Sequence, residues 1–280
     1  MSNLTDLISA GGGGSASFPT IFLSKSQTWV PPQDGNIMIH VIGAGGSGAT
    51  NYTQNATSGA AGGYCKKNTL AVTTSGSFTI VVGAGGARVS GATSGNAGGN
   101  STVAGTGLSS TLTANGGAGG VTNSYADVAG GSASGGDVNN TGGKAYYVNN
   151  GYSGGGAVGL TGTGNSGFSS GKDYRGGDCD IIGDLWSSTL GQIAGGRGGS
   201  GYWTDRSQGY AKDPTVRESN GEPFAGGGSS MLDHTVQIAS SVGGNGGIGA
   251  GGGMARCGGS QFLVTSGRGG EGIVVIQYIP

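Results

Sequence analysis

The sequence GGAGG at residues 116–120 recurs as GGRGG at residues 195–199 and as GGNGG at residues 243–247. In each copy a second glycine pair follows the first at a displacement of three residues. An extended left-handed helix with three residues per turn places every third residue on the same edge. The spacing therefore predicts polyglycine II helices, which are glycine-rich helices of this type, packed backbone against backbone.

The composition supports an unusual interior. Of 280 residues 69 are Gly and only 34% are hydrophobic, so a conventional apolar core cannot run through the whole chain. Buried glycine helices must exchange N–H and C=O hydrogen bonds with neighbouring helices, since unpaired backbone groups are costly to bury. Unstructured linkers are the alternative for this region. Collagen is excluded, because there are 6 Pro and no strict Gly-X-Y register.

Segments rich in β-forming residues flank the glycine region. Residues 36–42 alternate polar and apolar side chains, as in a half-buried strand, and the apolar run in residues 272–278 predicts a buried strand that packs with the N-terminal strands. Residues 18–30 are also rich in β-formers. Residues 63–72 and 77–82, joined by Thr73-Thr74-Ser75-Gly76, are expected to form a hairpin.

Helix signals are nearly absent between residues 83 and 270. Only residues 180–190 and 231–239 offer a helical turn or two, and Gly183 and Gly191 weaken the first of them.

Charge and cysteine usage exclude several classes of partner. The 13 basic and 14 acidic residues predict neither nucleic-acid binding nor attraction to anionic lipid, and no apolar run is long enough for membrane insertion. Residues 1–10 lack the features of a signal peptide. Cys65, Cys179 and Cys257 favour free thiols, or at most one bridge. We therefore expect synthesis in a reducing cytoplasm and release by a route other than secretion, of which virion assembly followed by lysis is one.

Catalytic and cofactor signatures fail in their context. Residues 43–48 (GAGGSG) match a dinucleotide-binding motif, but no amphipathic helix follows, so no cofactor is expected. His40 lies in an alternating strand and is expected to be structural. Asp178 and Asp180 flank Cys179 and should raise its pKa. Asp233-His234 has no accompanying nucleophile elbow. We expect no enzymatic activity, no catalytic residue and no metal site.

Aromatic residues concentrate between positions 121 and 225, in polar stretches bounded by glycine pairs. Tyr and Trp in loops provide large contact areas with little rotamer entropy to lose, and their rings also stack on sugars. Shielding of the glycine bundle is the alternative role. The candidate receptor-binding residues are Tyr125, Tyr146, Tyr147, Tyr152, Trp186, Tyr202, Trp203 and Tyr210.

An ordered set of motifs resembles the glycine-rich domain at the tips of bacteriophage tail fibres. The motifs are TWVPP at residues 28–32, IMIHVIGAGGSG at 37–48, AAGGY at 60–64, FTIVVGAGG at 78–86 and GRGGEGIVVIQY at 267–278.

The resemblance to T-even-type distal fibre adhesins implies a mainly β and irregular fold with almost no α-helix. A small β-sandwich formed from both chain ends would hold the polyglycine II bundle and its long loops. Residues 1–17 would be an attachment peptide or a flexible tail, residues 18–90 with 267–280 a β-structured base, and residues 91–266 the glycine-rich region. By analogy, the tip loops would be residues 121–129, 137–152, 178–193, 200–225 and 229–242.

The function that the resemblance implies is that of a tail-fibre tip adhesin. Its partners would be a host outer-membrane protein or glycan and another virion protein, such as a fibre shaft. The alternatives are a virion decoration or fibre-assembly protein without receptor binding, and an ice-binding protein.

Overall fold

The fold was analysed in a computed structural model. It describes residues 19–52, 55–124, 126–148, 151–152, 154–167, 175–181, 183–188, 191–199, 202–204, 215–217, 220–232, 240–257 and 263–280. Throughout these ranges the secondary structure is β, with no helix. The mainly β and irregular fold class predicted from the sequence is confirmed.

Most strands are short. In chain order they are β1 (Thr20–Leu23), β2 (Gln27–Trp29), β3 (Gly35–Ile42), β4 (Thr50–Asn51), β5 (Tyr64–Val72), β6 (Phe78–Val81), β7 (Ser101–Gly105), β8 (Leu112–Ala114), β9 (Ala133–Ser134), β10 (Val138–Asn140), β11 (Tyr147–Val148), β12 (Gly151–Tyr152), β13 (Gly183–Ser188), β14 (Gly191–Gly195), β15 (Tyr202–Thr204), β16 (Thr215–Arg217), β17 (Ser230–Leu232), β18 (Ser240–Val242), β19 (Ala255–Arg256), β20 (Leu263–Thr265) and β21 (Ile273–Ile279).

Two antiparallel five-stranded sheets form a sandwich. Their strand orders are β1-β21-β3-β5-β10 and β2-β6-β7-β8-β9. The alternating residues Ile37, Ile39 and Val41 of β3 point into the shared core, where they meet side chains of the second sheet such as Phe78 and Leu112. Period-two alternation buries one set of side chains against the facing sheet, as expected for β3.

The C-terminal strand β21 lies between β1 and β3 and pairs antiparallel with both. Its residues Ile273, Val274, Val275 and Ile276 are all buried. Val274 and Ile276 face the second sheet, whereas Ile273 and Val275 pack beneath the turns of the glycine region. Burial on both faces explains the continuous apolar run, and the predicted joining of the two chain ends is confirmed.

The hairpin predicted from residues 63–82 is wrong. The turn exists, since the Gly76 N–H donates to the Thr73 carbonyl at 2.8 Å. However, β5 pairs with β3 and β10, whereas β6 pairs with β2 and β7. The turn therefore carries the chain from one sheet to the other, and Leu70 of β5 and Phe78 of β6 belong to the core that the two sheets share.

The segment at residues 43–49, which follows β3, shows how the glycine segments are held together. Its N–H groups donate in rotation to three neighbouring segments. Every third residue donates to the same neighbouring segment. The N–H groups of Gly43, Gly46 and Ala49 all donate to carbonyl groups of residues 57–63, with N to O distances of 2.9 to 3.0 Å. Packed polyglycine II helices require such a three-residue repeat. The helix type itself stays a prediction.

Close approach of the backbones explains the glycine content. A Cβ on Gly45 would overlap the carbonyl oxygen of Ala250, and one on Gly46 would overlap that of Ala118. Such overlaps recur at most glycines of these segments. Glycine is needed here because the neighbouring chain occupies the space of a side chain.

The glycine segments have two distinct ends. Hydrogen bonds between antiparallel segments put Gly43 beside Gly63 and Thr50 beside Thr93. The end at Gly43 joins the sandwich and is called the sheet end. The end at Thr50, where the chain leaves the segments and returns, is called the loop end.

The helical turns predicted at residues 180–190 are wrong where the structure describes them. Residues 183–188 form β13, which pairs antiparallel with β14. Leu185 of β13 and Ile193 of β14 pack against the cluster that contains Ile273 and Val275. Packing on the sheet thus decided the local conformation. Of the second predicted helical region, Met231 and Leu232 belong to β17, and residues 233–239 lie outside the described residues.

Candidate functional site

Short parallel strands gather at the loop end. One sheet has the order β15-β17-β19-β4 and another the order β16-β18-β20. β4, β17 and β19 each continue a buried glycine segment, so their backbones leave the bundle side by side. The rigid segments thereby bring residues from distant parts of the sequence to one surface.

Five of the aromatic residues predicted from the sequence lie in segments of the loop end. Tyr146 follows Ala145, which is bridged to Val128. Tyr147 of β11 lies opposite Tyr152 of β12 in an antiparallel pair. Tyr202 and Trp203 belong to β15, opposite Ser230 and Met231 of β17.

Trp186 is placed elsewhere. It belongs to β13, which contacts β1 of the sandwich at the sheet end. The expectation that residues 178–193 form a loop beside the other aromatic segments is therefore wrong in placement, because this hairpin packs on the opposite end of the bundle. Tyr125 and Tyr210 lie outside the described residues.

Three chain reversals meet at the loop end and are called the three-loop cluster: residues 50–52 with 55–56, residues 90–94, and residues 121–124. Asn51, which is buried, joins two of them by donating from Nδ2 to Thr122 Oγ1 at 2.6 Å and to Asn123 Oδ1 at 2.9 Å. Asn123 has φ 56°, in the left-handed region that Asn tolerates, and its N–H donates to the Asn55 carbonyl at 2.7 Å. These bonds hold the cluster in one arrangement.

Tyr52 lies in the same cluster and was not among the residues predicted for the site. It is half-buried, and its hydroxyl lies beside Gly91, which has φ 80°. The available signal was its position between two glycine runs, residues 43–48 and 59–63, where the chain must reverse.

Comparison with known protein families assigns the chain to a family. The family model described as "Glycine-rich domain" matches residues 20–279. The chain belongs to this glycine-rich domain family. None of the curated proteins compared with the chain matches it. The matched range runs from β1 to the end of β21, so the sandwich and the glycine bundle together form the glycine-rich domain.

The thiols of this glycine-rich domain are shielded. Cys65, Cys179 and Cys257 are all buried and none of them is in a disulfide, which agrees with the prediction of thiols with at most one bridge. Burial, together with a smaller effect of the Asp180 carboxylate, raises the pKa of Cys179 to about 11. The predicted rise in the pKa of Cys179 is confirmed, and burial is its main cause. Burial likewise raises the pKa of Cys65 to about 11. Both thiols are therefore protonated and unreactive at neutral pH.

Both ring nitrogens of His40 form hydrogen bonds inside the domain. Nδ1 lies 2.7 Å from the Tyr64 hydroxyl and Nε2 lies 3.0 Å from Gln277 Oε1. Because the amide oxygen accepts, Nε2 is the donor and Nδ1 accepts from the hydroxyl, which suits a neutral imidazole. Burial lowers the pKa of His40 to about 4, against a weaker raising effect of Gln277. His40 thus links β3, β5 and β21, and the expectation of a structural side chain is confirmed in its geometry. Asp233 and His234 lie outside the described residues.

Across the described ranges, no three or more His, Cys, Asp or Glu side chains are grouped so as to hold a metal ion. The same part of the chain contains no helix with the length and apolar character for crossing a membrane.

A groove of about 350 Å³ lies beside Asn245, Arg268 and Glu271 on the flank of the bundle, away from the three-loop cluster.

Proposed function

We propose that this glycine-rich domain is a receptor-binding protein of a bacteriophage tail-fibre tip. The observation that supports it most is the gathering of chain reversals at the loop end. Tyr146, the β11–β12 pair and β15 all lie there, although they are far apart in sequence. A rigid bundle with aromatic-bearing loops at one end is suited to recognition of a cell-surface protein or polysaccharide.

The opposite end suits attachment to the virion. β1 and β21 pair with each other in the sandwich, where Thr20 lies opposite Gln277, so the chain enters β1 and leaves β21 on the sandwich side of the domain. Residues 1–17 precede β1 and are the proposed attachment peptide for a fibre shaft or another virion protein. Attachment at one end leaves the loop end directed toward the host.

The glycine segments between the two ends support the proposal that one end binds the receptor and the other attaches to the virion. The interior of the bundle consists of backbone hydrogen bonds instead of interlocking side chains, as in the bonds of Gly45 to Gly270 and of Gly86 to Gly45, both 2.9 Å. Loop residues are therefore not needed to fill a core. Their side chains can vary with the receptor while the bundle keeps its shape.

Adsorption of the purified protein to a panel of bacterial strains tests the proposal. We expect strain-selective binding that is abolished in Tyr146→Ala/Tyr147→Ala or in Tyr202→Ala/Trp203→Ala, because truncating an aromatic contact pair typically costs about 2 kcal/mol or more of binding energy. Trp186→Ala is the control. Because Trp186 belongs to β13 at the sheet end, removal of its side chain should leave adsorption unchanged. Circular dichroism would establish that each variant is folded.

Other outcomes identify the alternative functions. Incorporation into virions without binding to any strain would favour a decoration or fibre-assembly protein. Thermal hysteresis of the purified protein would favour ice binding. Equal adsorption by the wild type and both double variants would contradict the assignment of the contact surface.

A further inference from the structure

The groove on the flank of the bundle crosses the outer face of three neighbouring glycine segments. Backbone bonds join these segments in a row, since the Gly221 N–H donates to the Asn245 carbonyl and the Gly246 N–H donates to the Arg268 carbonyl. Much of the groove surface is glycine backbone. The side chains that line it are those of Asn220, Asn245, Ile248, Arg268 and Glu271. Among these described residues only Ile248 is apolar, so the groove suits a hydrophilic ligand.

The side-chain oxygens of the two asparagines are occupied within the protein. Asn245 Oδ1 accepts from the Arg268 N–H at 3.0 Å and from Arg88 Nη2 at 3.1 Å. Asn220 Oδ1 accepts from the Asn245 N–H at 2.9 Å. These bonds orient both amides and place Arg88 at the rim of the groove. In the part of the chain that the structure describes, the Nδ2 groups of both asparagines have no hydrogen-bond partner and remain as donors.

Glu271 is the carboxylate in the lining, and both of its oxygens are engaged. Oε1 accepts from Arg268 Nη2, and Oε2 accepts from the Gly85 N–H at 2.8 Å. The guanidinium groups of Arg88 and Arg268 each carry further N–H donors beyond the bonds that they make here. The hydrogen-bonding capacity that the groove offers to a ligand is therefore mainly that of donors.

The groove carries an excess of positive charge. Among the described residues at the groove, Arg88 and Arg268 are the cations and Glu271 is the carboxylate. Glu222 and Arg197 follow along the same flank, where the Arg197 N–H donates to Glu222 Oε2 at 2.8 Å, and their opposite charges add no net charge. Exposed guanidinium donors with a positive excess attract a ligand that has anionic oxygen groups.

We propose that this groove is a binding site for an acidic polysaccharide, whose carboxylate or phosphate groups bond to Arg88 and Arg268. Planar guanidinium groups fit both of these anionic groups, and the asparagine amides can donate to sugar hydroxyl oxygens. An open groove that crosses several segments can admit an extended polymer. The site lies apart from the aromatic-bearing loops, so the inference goes beyond the proposed receptor binding and does not depend on it.

Binding of soluble polymers to the full-length protein tests the inference without a host strain. Fluorescently labelled polygalacturonate presents carboxylates, labelled phosphomannan presents phosphates, and labelled dextran is neutral. In fluorescence anisotropy at low ionic strength, we expect at least one of the two acidic polymers to bind and dextran not to bind. The acidic polymer that binds identifies the anionic group. Added salt should weaken this binding, because exposed charges are screened.

Arg88→Gln and Arg268→Gln should each weaken binding of the acidic polymer about tenfold, because each variant removes a charge-assisted hydrogen bond to it. Both arginines are exposed, so both variants should fold, which circular dichroism would check. Lys25→Gln is the matched control. It makes the same charge change at an exposed position between β1 and β2 of the sandwich, and its binding should equal that of the wild type.

Glu271→Gln should change the affinity in the opposite direction. The substitution removes the carboxylate that neutralises Arg268, and it keeps an oxygen that can accept from the Gly85 N–H. We expect the acidic polymer to bind about threefold more tightly to this variant. Weaker binding by the folded variant would contradict the assignment of the guanidinium groups to the ligand.

Three further results would overturn the inference. They are absence of binding to either acidic polymer, equal binding of dextran, and equal binding of polyglutamate, which would indicate attraction to charge without recognition of sugar. Binding that Tyr202→Ala/Trp203→Ala abolishes and both arginine variants leave unchanged would place the polysaccharide at the loop end instead. Adsorption to cells tests the loop end and polymer binding tests the groove, so failure of either proposal is distinguishable from failure of the other.

Discussion

Gly45→Ala is expected to prevent stable folding. The added Cβ would overlap the carbonyl oxygen of Ala250, which accepts a hydrogen bond from the Gly270 N–H at 2.8 Å. Relief of the overlap requires two buried segments to move apart and breaks bonds on both sides. We expect a loss of about 4 kcal/mol or more in the free energy of unfolding, measured by urea denaturation with circular dichroism.

Gly162→Ala is the matched control for this substitution. Apart from Gly162 itself and its two chain neighbours, no residue has a heavy atom within 4 Å of a Cβ added there. The same chemical change should therefore alter the free energy of unfolding by about 0.5 kcal/mol or less. Equal stability of Gly45→Ala and Gly162→Ala would mean that the segments do not pack at the separation described.

Acidification is expected to destabilise the domain through His40. The ordinary pKa of 6.5 applies to the unfolded chain, and burial lowers the pKa to about 4 in the folded domain. Below pH 6.5 the unfolded chain binds a proton that the folded domain does not, so stability falls with decreasing pH and levels off below about pH 4. The loss across this window is about 3 kcal/mol.

His40→Gln isolates this contribution. Glutamine can both donate and accept near Tyr64 and Gln277 but does not titrate. Urea unfolding at a series of pH values between 4 and 7 should show a steeper loss of stability in the wild type than in His40→Gln, because all other titratable groups are the same in the two proteins. Parallel curves for the two proteins would show that His40 is not buried in its neutral form.

The candidate site was predictable only in part. Polar stretches with aromatic residues between glycine pairs correctly indicated chain reversals at Tyr146 and at Tyr202, because a glycine segment that ends must turn back. Their gathering at one end, and the separation of Trp186 from them, depend on how the segments pair. Tyr52 was missed because it lies outside the aromatic-rich stretch at positions 121–225.

Local sequence alone determined several features of the domain. The alternation in residues 36–42 and the apolar run in residues 272–278 required a strand half-buried in one case and fully buried in the other, and the three-residue glycine spacing required close backbone contact. Only the tertiary structure decided which strands pair. The turn at Thr73–Gly76 connects two sheets and residues 183–188 form a strand, because long-range burial on the sandwich outweighs local turn and helix preferences. A glycine carries no side chain to identify its neighbour, so the partner of each glycine segment was set by the fold of the whole chain.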